Sequence, residues 1–362
     1  MRAIKRYLSR FCLVLAGLCI SLFLAEGFVR IFFPYSRDHV VPSGLFDIDG
    51  YLGWKLKVGK SVTHHSHYFN VVYTINSLGF RDKPRNVPKG KNVYRILLYG
   101  DSQIFGWGVP EDKRFSNLIE NQTQHLEIWN LAVPGYGLDQ EILSYERDGK
   151  SLNADEIIFF VSENTLERTR YNYIYKKHKP MFAIDETGAL KLIPIPKGKT
   201  TTTSLLYKIL SPMYLPYFLE RRSEMLKDML KKSSYGGSWE TNTAGIIPSE
   251  CIGDFEKKMF IRARNMALER KQRIVILVEL PKAKSKDLED FCNRNGIGFL
   301  KIAFDDHNEK QGLIFGKYDG HWNPQGHKLV AQQLLSQMEK MSNGGENILP
   351  KREKERDFPQ GI

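Results

Sequence analysis

Residues 92–108 read NVYRILLYGDSQIFGWG, and this stretch constrains the fold more than any other. Residues 93–99 form a short apolar run rich in β-formers, the pattern of a buried strand. The run stops at Gly100-Asp101-Ser102, and Gln103 onward reads as the start of a helix. A serine at such a turn sits at the carboxyl edge of a sheet, where α/β folds place their chemistry. The helix N-terminus beside it offers backbone N–H groups and a positive dipole end to a developing anion. A serine that only caps a helix leaves the same local pattern. The turn therefore needs partners elsewhere in the chain.

Further elements alternate after it. Apolar runs at 126–133, 156–161, 274–280 and 298–302 read as strands, and 115–122, 138–150, 255–271 and 285–295 as helices. That alternation implies a mostly parallel sheet covered on both faces. Apolar residues at 42% and charged residues at 26% fit a globular chain.

One segment breaks the pattern. Residues 166–251 show no α/β alternation and form a basic insertion, with 14 Lys/Arg against 6 Asp/Glu between Thr165 and Lys232. Lys176, Lys177, Lys179, Arg221 and Arg222 are its candidate contacts to an acidic polymer, and 211–232 suggests an amphipathic helix. A solvated basic face over a small subcore explains the same residues. The net charge of +12 makes anionic partners worth testing, but no zinc-finger spacing or RNP-like pattern points to nucleic acid.

The N-terminus carries Arg2, Lys5, Arg6 and Arg10, then an apolar run at 11–25 and another at 28–33 broken only by Arg30. This is enough to span a membrane with Glu26 and Arg30 near the outer interface. A retained anchor over residues 1–33 is favoured, because Phe23-Leu24-Ala25 is a poor signal-peptide cleavage site. The basic flank then keeps the start of the chain in the cytoplasm and puts Pro34 onward outside it, on the periplasmic or extracellular side of an inner membrane. Residues 34–91 form a loop-rich lead-in, 92–342 the α/β domain, and 343–362 a disordered tail. Cys251 and Cys292, the two cysteines beyond the apolar run, either pair or stay free.

Near the end stands Asp319-Gly320-His321-Trp322-Asn323-Pro324, on a loop before a last helix. A serine hydroxyl needs a base within hydrogen-bond reach to act as a nucleophile. A histidine takes and returns a proton near neutral pH, and an aspartate fixes its tautomer. His327, one turn into the helix, reads as packing or surface.

Together these pieces resemble the signature blocks of the SGNH (GDSL) hydrolases. The strand, Gly-Asp-Ser and Gly106 match the first block, and Asn130 followed by Gly135 the second. Ser162-Glu163-Asn164-Thr165 stands where the family shows GxND, with Asn164 fitting and Ser162 and Thr165 departing. Asp319-Gly320-His321 stands for the fourth block, with one residue fewer than the usual DxxH. With Trp322 it also resembles the DxHW segment of the alginate O-acetyltransferase branch. The lead-in segment Asn76-Ser77-Leu78-Gly79-Phe80-Arg81 is similar to one found in membrane-anchored bacterial relatives.

The resemblance implies a three-layer α/β/α, flavodoxin-like fold behind one transmembrane helix. It implies Ser102 as nucleophile, His321 as base and Asp319 as orienting acid. Ser102 N–H, Gly135 N–H and the Asn164 amide are the expected oxyanion donors, with no metal or cofactor. The activity it implies is a serine-dependent acyl-ester hydrolase of the esterase or deacetylase type. Its substrate is an acylated small molecule, lipid or polysaccharide. An O-acetyltransferase acting on a cell-surface or exported polysaccharide is the alternative, and a catalytically silent glycan-binding module a third reading.

Overall fold

The computed structural model describes residues 2–34, 41–196, 210, 213–219, 222–223, 251–304, 310–316 and 319–343. Arg221, most of the expected 211–232 helix and the tail beyond 343 lie outside the described residues. Internal contacts divide the chain into two units, 1–40 with 202–245, and 41–201 with 246–362.

The first unit is built on α1 (Arg2–Phe32), whose span Ile4–Phe32 is long and apolar enough to cross a membrane. A signal sequence meets the same test. Near its C-terminal end, Glu26 pairs with Arg30 at 2.7 Å. The same carboxylate accepts the backbone N–H groups of Tyr214 and Leu215, both at 2.8 Å. Arg30 lies over the Tyr214 ring, and Phe33 packs on Phe218 with centroids 4.7 Å apart. A charge on an apolar helix thus caps a segment of the insertion.

The second unit opens with two antiparallel hairpins, β1 (Phe46–Asp49) with β2 (Gly53–Leu56) and β3 (Ser61–His65) with β4 (Asn70–Thr74). Trp54, Leu56 and Tyr73 bury their side chains in the main core, so the lead-in belongs to the domain. Then follow β5 (Tyr94–Tyr99), α2 (Ser102–Phe105), α3 (Phe115–Gln122), β6 (Leu126–Asn130), α4 (Leu138–Asp148), β7 (Glu156–Ser162) and α5 (Glu163–Arg168). Short hairpins β8 (Tyr173–Ile174) with β9 (Lys177–His178) and β10 (Met181–Ile184) with β11 (Leu190–Ile193) occupy the described start of the insertion. The domain closes with α6 (Asp254–Glu269), β12 (Arg273–Glu279), α7 (Lys282–Arg294), β13 (Gly298–Lys301), β14 (Ile314–Gly316), β15 (Asp319–Trp322) and α8 (Pro324–Asn343).

The central sheet runs β13-β12-β7-β5-β6, with every pairing parallel. Relative to the first strand this is the flavodoxin-like order, which reverses direction beside β5. β7 is buried at all of its positions, as a strand covered on both faces must be. α3 packs with α8 and α4 with α6, giving the outer helical layers. Two boundaries differ from the sequence reading. β6 stops at Asn130, whose side chain turns aside to donate to the Ile104 carbonyl at 2.7 Å. Asp319–Trp322 is a strand rather than a loop, because β14 pairs with it.

Candidate active site

Gly100 lets β5 turn sharply, since a Cβ there would stand 2.4 Å from Ile104 Cγ1. Asp101 caps the helix that follows, its Oδ1 accepting the Gln103 N–H at 2.9 Å. Ser102 is therefore the first helical residue, and its hydroxyl is not consumed by capping.

That hydroxyl meets His321. Ser102 Oγ lies 2.7 Å from His321 Nε2, and His321 Nδ1 lies 2.6 Å from Asp319 Oδ1. The same carboxylate oxygen accepts the His321 backbone N–H at 3.0 Å, which sets the ring's orientation. A carboxylate facing Nδ1 places the proton there and leaves Nε2 to accept from serine. Asp319 is fully buried while the His321 side chain keeps 22% of its surface. Two residues legible only in three dimensions hold the His321 segment and ring. Gln103 donates to the Gly320 carbonyl at 3.1 Å and accepts the Trp322 N–H at 3.0 Å, clamping β15 on both sides of His321. Trp107 stacks on the imidazole with centroids 5.6 Å apart.

The lead-in motif supports the same turn. Arg81, fully buried, donates to the carbonyls of Phe105, Gly106 and Val109, fixing the chain just after α2. Burial, with the Arg114 charge nearby, pushes its pKa down to about 9. Phe80 of the same motif is buried in the core.

Gly135 follows the end of β6 with φ +84°, a conformation a side chain resists. Val133 N–H donates to the Gly100 carbonyl at 3.0 Å, drawing the two turns together. Neither the Ser102 nor the Gly135 N–H donates to another group among the described residues. Asn164 is the second residue of α5, with an exposed side chain. Ser162 is the N-cap of that helix and accepts the Thr165 N–H at 3.2 Å. The departures from GxND thus form a capping pair.

Arg168, at the end of α5, reaches back into this region. Its Nη1 donates to Asp101 Oδ2 at 2.7 Å and to the Tyr136 carbonyl at 3.2 Å, and its Nε to the Tyr175 hydroxyl at 3.1 Å. Burial opposes the guanidinium charge, but Asp101 and Tyr175 outweigh it and hold the pKa above the ordinary arginine value. Behind Asp101 sits Glu141, fully buried, whose carboxyl faces the Phe160 N–H without either oxygen closing a full hydrogen bond. Burial, then the Asp101 charge, raises its pKa well above the usual carboxylate range.

Other expectations fare differently. Lys179 is no polymer contact: it is fully buried and paired with Asp139, with the Tyr171 and Pro180 carbonyls as further acceptors. Lys177 places its ammonium over the Phe46 and Trp54 rings. Arg222 lies over Phe33 and Phe218 in the other unit. His327 is a packing residue, fully buried against Phe115, whose N–H it accepts through Nδ1 at 3.2 Å. Burial, with Arg114 nearby, pushes its pKa down to about 3. Cys251 is exposed and Cys292 is buried, and no disulfide joins them. Among the described residues, no group of three His, Cys, Asp or Glu is gathered to hold a metal.

No family model and no curated protein matches the sequence. Solved structures do match. One is a member of the lipolytic G-D-S-L family from Veillonella parvula, 12% identical over 67% of this chain and 97% of that one, at a TM-score of 0.37. Another is a psychrotrophic esterase from Pseudoalteromonas inhibited by monoethylphosphonate, 9% identical over 69% and 98%, at 0.40. A third is a two-domain esterase active on acetylated mannans, 10% identical over 72% of this chain and 52% of that one, at 0.38. The structures it resembles include ester hydrolases. At such identity and overlap, the chemistry has to be read from this chain's own residues.

Proposed function

We propose that this protein is a serine-dependent acyl-ester hydrolase of the esterase or deacetylase type, held at a membrane by α1 and acting outside the cytoplasm. The observation that carries the reading is the unbroken contact from Ser102 Oγ through His321 to buried Asp319. As Oγ attacks the acyl carbon, its proton passes to His321 Nε2, and Asp319 stabilises the imidazolium. The oxyanion is met by the Ser102 and Gly135 N–H groups and by the Asn164 amide, each donor worth roughly 3 kcal/mol. Collapse breaks the ester C–O bond, and the leaving alkoxide takes the proton from His321. Water then attacks the acyl-enzyme, giving a proton to His321; collapse breaks the bond from the acyl carbon to Ser102 Oγ, His321 returns that proton to Oγ, and the acid departs.

The substrate class is an acylated small molecule, lipid or polysaccharide; the two-domain esterase among the similar structures acts on an acetylated polysaccharide. Trp322, which prompted the likeness to O-acetyltransferases, is buried among Phe115, Phe160, Phe304 and His327 and lends that alternative no support of its own. The caps that Glu26 provides to Tyr214 and Leu215 support retention of the N-terminal helix over its cleavage. The test is labelling of the detergent-solubilised full-length protein with a fluorophosphonate, compared with Ser102→Ala. Labelling of wild type alone supports the reading, and an unlabelled wild type that hydrolyses no ester overturns it. Reporter fusions at residue 34 check topology: a periplasm-dependent phosphatase that stays inactive there sinks the extracytoplasmic assignment.

A further inference from the structure

The two amides with open N–H groups belong to different segments, Ser102 on the β5–α2 turn and Gly135 on the β6–α4 connection. An oxyanion pocket works only if such donors are fixed before the charge develops. Among the described residues, the Arg168 side chain touches both segments beside those amides. Arg168 Nη1 donates to the carboxylate of Asp101, the residue just before Ser102, and to the carbonyl of Tyr136, the residue just after Gly135.

Arg168 also governs what lies over Gly135. A Cβ on Gly135 would stand 3.0 Å from Tyr175 Cε2, so the Tyr175 ring covers that backbone. Tyr175 and Lys176 form the two-residue turn of the β8–β9 hairpin with φ +52° and +60°, a left-handed pair usually built from Asn and Gly. Non-glycine residues hold such conformations only where their surroundings fix them. The Arg168 Nε bond to the Tyr175 hydroxyl is one such restraint. Asp101 is also the helix cap, so its two carboxylate oxygens serve both the helix and Arg168.

We propose that Arg168 is the positioning residue of the oxyanion pocket, bridging the chain beside its two backbone N–H donors and pinning the Tyr175 ring over one of them. The inference rests on the ester-hydrolase reading above. Arg168 touches no reacting atom, so its loss should lower kcat and leave KM nearly unchanged. A plain counterion to Asp101 would behave otherwise: lysine would replace it fully.

The experiment compares Arg168→Met and Arg168→Lys with wild type in the detergent-solubilised full-length protein. It measures kcat and KM for an aryl acetate, the rate of phosphonylation by a fluorophosphonate and the melting temperature. The methionine variant is expected to lose about tenfold to a hundredfold in kcat, with a parallel loss in phosphonylation rate. KM should change less than about threefold. Lysine, shorter and without a second nitrogen for Tyr175, should restore the melting temperature but not kcat. Wild-type kcat in the lysine variant, or losses that only track unfolding, would each overturn the role. If neither variant folds, Tyr175→Phe decides: a twofold to fivefold fall in kcat supports the proposal, and wild-type kcat overturns it. A wild type inert to both probes rejects the ester-hydrolase reading instead, so the two failures are distinguishable.

Discussion

Two neighbouring strands, β5 and β7, each lead to a serine at the start of a helix, and the two serine hydroxyls make different contacts. At the first turn Asp101 is the cap, so Ser102 enters the helix with its hydroxyl turned to His321. At the second Ser162 is itself the cap, and its hydroxyl is spent on the Thr165 N–H. The strands are paired in register, Tyr99 against Phe159, so sheet position does not separate the two. A shift of the cap by one residue does. A capping aspartate just before the serine frees the hydroxyl for chemistry; a serine that caps has already used it.

The sharpest break in the comparison is removal of each hydroxyl's partner. Ser102→Ala and His321→Ala are each expected to cut turnover of an aryl acetate by on the order of a thousandfold or more, and the double variant little further. Circular dichroism should show both folded, because these side chains line a site rather than fill the core. Wild-type turnover in Ser102→Ala would move the silent binding module to the front.

Next in size is Asn164, the contribution the second turn would make to the same chemistry. Asn164→Ala is expected to lose on the order of a hundredfold in kcat with the fold unchanged. Its exposed position on α5 leaves the amide free to serve. A kcat within twofold of wild type would remove it from the oxyanion donors and leave the two backbone amides.

Much of this was legible because the strands are apolar runs closed by glycine or polar turns, and because Ser102, Asp319 and His321 sit in short recognisable blocks. What was missed depends on approach in space. Gln103 clamps residues more than two hundred positions away, and no local pattern signals that. Arg168 resembles any basic residue at a helix end until Asp101 and Tyr136 are seen beside it. Lys179 was misplaced because lysines are seldom fully buried, and only the equally buried Asp139 explains it. The β15 strand was read as a loop because its partner spans only Ile314–Gly316.

The charge around the first turn sharpens the contrast in a smaller way, through pH. Asp101, Glu141 and Arg168 lie together there, and burial raises the Glu141 pKa above its ordinary 4.5. The folded chain then holds a proton that the unfolded chain releases, so folding loses stability as pH rises above about 4.5 and stops losing it past the raised value. Glu141→Gln removes that dependence. Its melting temperature relative to wild type is expected to climb as pH rises above about 4.5, with little difference below that. A constant difference across pH, or one of opposite sign, would show Glu141 ionised in the fold.

The smallest effect belongs to the second serine. Ser162→Ala removes the acceptor for the Thr165 N–H but leaves the reciprocal bond, in which the Ser162 N–H donates to Thr165 Oγ1 at 2.8 Å. Half of the capping pair survives, so the cost should be about 1 kcal/mol. In a domain of this size that is roughly 2–4 °C in melting temperature. Because its hydroxyl is bonded within its own turn, activity should stay within about threefold of wild type. Thr165→Val, which removes the other half, should cost a similar amount and combine with Ser162→Ala non-additively, since both act on one turn. Loss of fluorophosphonate labelling in a folded Ser162→Ala protein would mean that the two turns are not separate in function, and that capping alone does not distinguish the serine that reacts from the one that holds.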